Sequence, residues 1–374
     1  MRIAIGAIVR TLGGPATYAT ELVAALAARR TPKIEYVVLT DGPEAFDSTG
    51  VEVRRVALPT PYAQVLWDHV SIPAALRRAG ADLYHGTKNV LPVCLPCPGV
   101  VTIHDLAVYN HPESFAALQR WHLRAHTPHA TSAARAVITV SEHAAAELRR
   151  RFAGAAAKVS AIPNGVSARF APVADEQALS AFRNRYGLGT GPLVAYLGTL
   201  QPRKNLELLA AAFRRVAAGM PGVELVLAGR IRPGYRPDLP RERVRLIGPL
   251  PAGELPLLYS AAAVFVSPSL YEGFGLTLLE AMACGCPVVA LRRSAVPEVA
   301  GDAALLLDAA SEDSLAGALL RVLGEPATAA ALRDKGLARA RRFSWARAAE
   351  ATEAVYLGVA AGSQANAAGG RRAP

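Results

Sequence analysis

The sequence predicts an α/β protein made of two doubly wound domains. Three observations predict it. Short β-branched runs alternate with longer amphipathic segments along the whole chain, and such alternation builds parallel sheets with helices on both faces. The alternation is interrupted once, over 163–192, by Asn164-Gly165, Pro172, Gly187, Gly189 and Gly191, residue types that punctuate turns and linkers. The chain has 374 residues, beyond the size at which one core keeps growing. A hydrophobic share of 52% and a charged share of 19% suit two globular cores.

The elements follow in order. RIAIGAI (2–8) reads as a strand, Gly13-Gly14-Pro15 as a turn, and the alanine-rich 16–29 as a helix. YVVL (36–39), DLYH (82–85), VVTIH (100–104), AVITV (136–140) and VSAI (159–162) are further strands. Helices are expected over 62–79, 114–133 and 142–152, the last capped by Ser141. The linker holds one short helix, 175–186. LVAYLG (193–198), VELVLAG (223–229), VRLIG (244–248), VFVSP (264–268), VVAL (288–291) and ALLLD (304–308) then read as strands. Helices are expected over 204–218, 253–261, 275–284, 311–323 and 327–342. The Ala/Gly/Arg-rich tail from 362 reads as disordered.

Composition removes several classes. Apolar stretches are broken before 18 residues, so no membrane span is expected. MRIAIGAIVR is too short an apolar run for a signal peptide, and a cytoplasmic location is the default. Cys94-x-x-Cys97 lies in a proline-rich loop and Cys284-x-Cys286 in an apolar turn. These are either reduced thiols or, less simply, metal ligands. The net charge of +11 is mostly arginine. It fits phosphorylated small molecules or an anionic membrane, or only a genome that favours arginine over lysine. No helix-turn-helix, zinc finger or aromatic RNA motif accompanies it, so nucleic acid is not an expected partner.

Four places carry candidate chemistry. Ligands of open α/β sheets bind beyond the carboxyl ends of strands. After the first strand, Gly13 and Gly14 let backbone amides approach an anion at a helix N-terminus; a plain tight turn would use the same residues. His104 and Asp105 end the strand in VTIHDL, where the imidazole either meets a ligand or is a satisfied structural residue. Arg203 and Lys204 lie between a strand and an apolar helix, as a diphosphate clamp or as a solvated basic turn. Glu272 sits in a loop before Phe274, Gly275 and Leu276, and Glu280 sits on the helix that follows. One carboxylate suits sugar hydroxyls and the other a ribose diol, against the plainer reading of a surface and a capping glutamate. No Asp-x-Asp pair is present to hold a divalent ion on a diphosphate. Protein cations are therefore expected to serve, without metal.

These residues are similar to a known family. GGPATYATEL (13–22), VTIHDL (101–106), ITVSEHAAAEL (138–148), IPNGV (162–166), LGTLQPRKNLELL (197–209), LYEGFGLTLLEAMACGCPVV (270–289), AVPEVAGDAALLLD (295–308) and FSWARAAEATEAVY (343–356) follow one another in family order. Together the chain resembles the retaining, nucleotide-sugar-dependent glycosyltransferases of family 4, with the GT-B fold.

The resemblance implies an acceptor-side domain over 1–165 and a donor domain over 166–343. A helix over 344–361 returns to the first domain, and the tail is 362–374. The cleft is expected to close on the donor. Lys204 and Arg203 would neutralise the leaving diphosphate, Glu280 would bind the ribose, and Glu272 would contact the donor sugar beside the amides of Phe274, Gly275 and Leu276. His104 would stand against the sugar. Gly13 and Gly14 would admit the phosphates and the acceptor. Many members have Gly-Arg where this chain has Gly198-Thr199, and Arg203 is expected to substitute.

The HDL and PRKN wording is similar to members acting on bacterial polysaccharides, often with GDP-mannose. A UDP-glucose-type donor, a soluble small-molecule acceptor and a non-catalytic nucleotide-sugar-binding module are the alternatives, as is a phosphorylase or epimerase on the same fold. The acceptor is a hydroxyl, lipid-linked if the basic surface around Arg149, Arg150 and Arg151 docks an anionic membrane.

Overall fold

The computed structural model describes residues 1–10, 13–57, 64–240 and 242–369, with side chains described for all of these except 64 and 363–369. Residues 11 and 12 of the first glycine loop, and the first two of the helix expected over 62–79, lie outside the described residues. The chain forms two compact units, Met1–Gly165 with Ser344–Pro374, and Val166–Phe343.

The first unit is built on a parallel sheet of seven strands. They are β1 (Arg2–Ala7), β2 (Glu35–Thr40), β3 (Glu52–Arg55), β4 (Leu83–Gly86), β5 (Gly99–Ile103), β6 (Ala136–Thr139) and β7 (Val159–Ala161). Their order is β3-β2-β1-β4-β5-β6-β7. Helices cover both faces, so the inner strands are apolar throughout: Val37, Val38 and Leu39 are all fully buried. The order reverses between β1 and β4, and loops diverge there to leave a crevice.

The second unit repeats the plan with six strands. They are β8 (Leu193–Leu197), β9 (Glu224–Ala228), β10 (Val244–Gly248), β11 (Val264–Ser267), β12 (Val288–Leu291) and β13 (Leu305–Leu307). The order is β10-β9-β8-β11-β12-β13, so this sheet reverses between β8 and β11. Val264 pairs with Val194 and Phe265 with Ala195 across that junction.

Local chemistry explains the departures from the sequence reading. Strand β3 was not expected; its EVRR is half exposed and occupies a sheet edge, so it lacks an apolar run. The helix expected over 62–79 is three pieces: Gln64–Leu66, a π-helical turn Trp67–Ser71, and Ile72–Ala79. Pro73 has no N–H to give the carbonyl of His69, and the Ile72 amide bonds instead to Trp67, five residues back. The short helix Val296–Ala300 was also unforeseen. Ser141 caps the helix Glu142–Arg151 as expected, accepting the Ala144 amide at 3.1 Å.

The last helix, Trp345–Gly369, belongs to the first unit and packs on the helix Gly14–Arg29. It continues past 362, where a disordered tail was expected, and residues 370–374 lie outside the described residues. Glu353 is nearly buried and accepts three hydrogen bonds, from Arg29 at 2.7 Å and from Thr31 and Tyr36 at 2.6 Å. The Tyr356 hydroxyl meets His85 Nδ1 at 2.7 Å inside the core.

Candidate active site

The second unit's reversal point gathers most of the expected residues. After β8 the chain makes one 3-10 turn, Pro202–Lys204. Asn205, in the left-handed region at φ 55°, then redirects it into the helix Leu206–Gly219. Asparagine tolerates that conformation. This turn presents Arg203 and Lys204 side by side. From β11, the loop to the helix Leu276–Ala283 brings Glu272 against them. Lys204 Nζ donates to Glu272 Oε1, and Arg203 Nη1 lies 3.6 Å from Oε2. Arg203 also donates to the Tyr271 carbonyl at 2.7 Å.

The backbone fixes this cluster. The Leu270 amide donates to the Arg203 carbonyl at 2.9 Å, and the Glu272 amide donates to Ser294 Oγ at 2.7 Å. Side-chain exposure is only 12% for Lys204 and Glu272 and 15% for Arg203, so solvent screens the charges weakly. Burial alone would raise the Glu272 carboxyl. Lys204 and Arg203, with hydrogen bonds from Lys204 and Ser269, outweigh it and hold it at about 2. Two cations against one carboxylate leave one positive charge over.

Gly275 opens the next helix at φ 102°, a conformation that side chains disfavour. The first amides of that helix, from Leu276, have no partner within it. Phe274 is buried edge-on to Phe343 at 5.8 Å. Glu280, one turn into the helix, is 7% exposed and accepts the Tyr259 hydroxyl at 2.9 Å. Burial, then Glu280, keep that hydroxyl protonated.

The first unit's reversal point holds the remaining residues. Gly13 (φ 140°) and Gly14 are exposed at the start of the helix Gly14–Arg29. His104 is buried just beyond β5. Its Nε2 lies 2.7 Å from the Thr87 carbonyl and its backbone amide donates to Asn89 Oδ1 at 2.9 Å. A carbonyl only accepts, so the ring proton sits on Nε2. Burial lowers the His104 pKa, against the pull of Thr87 and Asp105. The ring is therefore neutral at pH 7 and presents Nδ1 as a lone pair. Tyr18 stands edge-on to it at 4.9 Å. Below lies a chain of buried polar contacts: Tyr18 to Thr102 at 2.9 Å, and Thr102 to His85 at 2.7 Å.

Comparisons with known proteins agree with this geometry. Residues 12–170 match the family described as Glycosyltransferase Family 4, and residues 191–325 match Glycosyl transferases group 1. Over 283 residues the chain is 32% identical to O-antigen chain mannosyltransferase B of Escherichia coli, covering 72% of this chain and 73% of that one. The chain belongs to glycosyltransferase family 4.

This family 4 glycosyltransferase is also 35% identical over 205 residues to a GDP-mannose-dependent alpha-(1-6)-phosphatidylinositol monomannoside mannosyltransferase of Mycolicibacterium smegmatis, covering 49% of this chain and 53% of that one. Among solved structures, sucrose-phosphate synthase from Thermosynechococcus elongatus aligns with a TM-score of 0.76 at 24% identity, over 96% of this chain and 99% of that one. Anabaena HepE, in complex with UDP and glucose, aligns at 0.77 and 19%, over 96% and 100%. These structural likenesses speak for the GT-B fold alone.

Sequence reasoning missed several residues of the transferase's two reversal points. Ser269 and Ser294, which bind Glu272, carried no signal. Tyr259, the partner of Glu280, sits in an apolar helix like any core tyrosine. Lys88 and Asn89 had one usable signal, their place directly after a strand. Burial lowers the Lys88 ammonium, partly offset by Asp68 and Asp41. In the expected basic patch, Arg149 donates to the Val159 carbonyl at 2.9 Å and Arg151 lies over the Tyr109 ring at 3.9 Å. All four cysteines are unpaired; burial raises the Cys284 thiol to about 12. Among the described residues, no single helix is long and apolar enough to cross a membrane.

Proposed function

We propose that this transferase moves a hexosyl unit, mannose by preference, from a nucleoside diphosphate sugar to an acceptor hydroxyl with anomeric retention. The observation that carries the reading is the buried Arg203–Lys204–Glu272 cluster, with its surplus positive charge at the β8/β11 reversal. A departing diphosphate takes up that charge, and the N-terminal amides beyond Gly275 add donors. Residues 166–343 hold the donor, and residues 1–165 with the C-terminal helix serve the acceptor. Glu280 takes the ribose hydroxyls beside Tyr259, and Glu272 meets the donor sugar. His104 accepts a hydrogen bond from a sugar hydroxyl through Nδ1. Gly13 and Gly14 admit phosphate and acceptor. Protein cations do the work of a metal.

Retention through double displacement ordinarily uses a carboxylate nucleophile. Glu272 is already held by Lys204 and Arg203, which draw its oxygens toward the cations. We therefore favour reaction on one face. The bond from anomeric carbon to phosphate oxygen breaks as the bond to the acceptor oxygen forms, and the leaving phosphate takes the acceptor's proton.

The mannosyltransferases among the relatives support GDP-mannose as donor. Two of them are named for an O-antigen chain and a phosphatidylinositol mannoside, which supports a bacterial polysaccharide or glycolipid product and a lipid-linked acceptor. The transferase then works peripherally, at the inner face of the membrane. Thermal shift and donor hydrolysis across a nucleotide-sugar panel test this. GDP-mannose should stabilise the protein and hydrolyse slowly. Preference for UDP-glucose would shift the reading to a glucosyl donor, and a soluble acceptor would then deserve trial. Binding without hydrolysis of any donor would leave a non-catalytic module.

A further inference from the structure

Three of the chain's eight histidines meet in the first unit, away from the residues assigned above. His122 and His126 are four apart on the helix Ala117–Ala133, so both rings project from one face. His69 comes from the π-helical turn Trp67–Ser71. Turns of this kind are rare and often mark functional sites. One ring nitrogen from each histidine lies within 4.8 Å of the other two. His126 lies between its neighbours, with centroids 4.3 Å from His69 and 4.6 Å from His122.

The polar atoms here are not satisfied. His122 is 4% exposed, and neither of its ring nitrogens has a hydrogen-bond partner. His69 Nε2 and Asp68 Oδ2 are likewise buried without one. Asp68 is 6% exposed, and its Oδ2 is 3.4 Å from His122 Nε2, an ion-pair distance without hydrogen-bond geometry. Each buried unsatisfied group costs about 1–3 kcal/mol. A buried His–Asp pair alone would close to hydrogen-bond contact and leave one imidazole nitrogen idle, not several.

We propose that His69, His122 and His126 bind a borderline divalent transition ion of the zinc type, with Asp68 behind His122. Imidazole donors select such ions over magnesium or calcium. His122 donates its Nε2–H to Asp68, which turns Nδ1 to the ion, the usual carboxylate–histidine–metal order. His69 ligates through Nε2; its ring proton moves to Nδ1, which releases the Val93 amide now donating to Nδ1 at 3.2 Å. The ligand atoms must close to about 3.3 Å from one another for a tetrahedral ion, a shift within reach of side-chain rotation. Burial and mutual repulsion hold His126 at about 4 and His69 below its ordinary value. Both are therefore neutral, the form that ligates. The ion would tie the π-helical turn to the helix Ala117–Ala133. These elements carry the exposed Val70, Leu118 and Trp121, whose positions the ion would fix.

The test uses untagged full-length protein stripped by dialysis against a chelator. It is titrated with zinc chloride in competition with a chromophoric chelator. One tight equivalent per chain is expected. His126→Gln and His69→Gln, both half-buried, should each weaken it at least about tenfold. His143→Gln, on another helix, should leave it unchanged. Cobalt should give the visible bands of a four-coordinate site, lost in His126→Gln. No tight equivalent in the folded wild type, or wild-type affinity in both glutamine variants, overturns the proposal. Metal content is the readout, so the result is independent of the transfer reaction.

Discussion

Replacing Lys204 by methionine keeps the stem and removes the charge. The cluster then falls from one surplus positive charge to none. At 4 Å and an effective dielectric of about 20, one unit charge is worth about 4 kcal/mol to a bound phosphate. Glu272 already draws on the same charge. Its carboxyl falls from 4.5 to about 2, a net attraction of about 3 kcal/mol shared between Lys204, Arg203 and Ser269. What remains for the diphosphate lies between about 1 and 4 kcal/mol, so turnover should fall about 5- to 1,000-fold. The assay is steady-state nucleotide release with the best donor of the panel, beside calorimetric affinity for the nucleoside diphosphate. Lys335→Met, which removes a cation paired with exposed Asp302, is the control and should be silent. Glu272→Gln makes the complementary test. It frees both cations, so diphosphate should bind more tightly while turnover drops. A Lys204→Met enzyme with kcat/KM within about threefold of wild type would refute the clamp, whatever its stability.

Four further outcomes are expected. Glu272 has a depressed carboxyl, so its contribution to stability is complete above 4.5 and is lost only as pH falls through about 2; the acid limb of kcat/KM between about pH 5 and 8 should therefore keep its midpoint in Glu272→Gln, and a moved midpoint counts against the assignment. Glu353→Ala should destabilise the first unit by about 2–3 kcal/mol, because Arg29, Thr31 and Tyr36 lose one shared buried acceptor; urea titration reads this, and an unchanged midpoint contradicts it. A strong chelator should leave turnover intact while lowering the thermal midpoint if the histidine site holds an ion, and lost turnover would overturn metal-independent chemistry. Vesicles rich in anionic lipid should carry the protein upward in flotation through the basic surface around Arg149, Arg150 and Arg151, and a protein that stays at the bottom has no such docking.

Regular elements were legible because both sheets are parallel and covered. Val37 to Leu39 and Val264 to Val266 are apolar throughout, and neither run suits a half-exposed strand. Edge strand β3 escaped notice because one neighbour and open solvent demand no apolar run. The broken helix near Pro73 escaped because periodicity survives a π-helical turn. At the site, Arg203, Lys204, Glu272 and Glu280 could be named from their places after strands and from the family resemblance. Their pairing could not be. That Lys204 closes on Glu272, and Glu280 on Tyr259, depends on which strands lie side by side. Local pattern does not encode strand order. The histidine cluster was equally hidden, since His69 is 53 residues from His122 in the chain and only the fold brings them together.

The C-terminal helix has a consequence for how the chain is made. The second unit is one continuous segment, 166–343, and its compact unit is complete once that segment is synthesised. The first unit does not. His85 and Arg29 wait for Tyr356 and Glu353, which are synthesised only after the whole of the second unit. Domains ordinarily fold from the N-terminus during synthesis. Here the first half to be translated is the second to be finished, and until then its core keeps an imidazole satisfied only at Nε2, by Thr102, and an open helix-sized face.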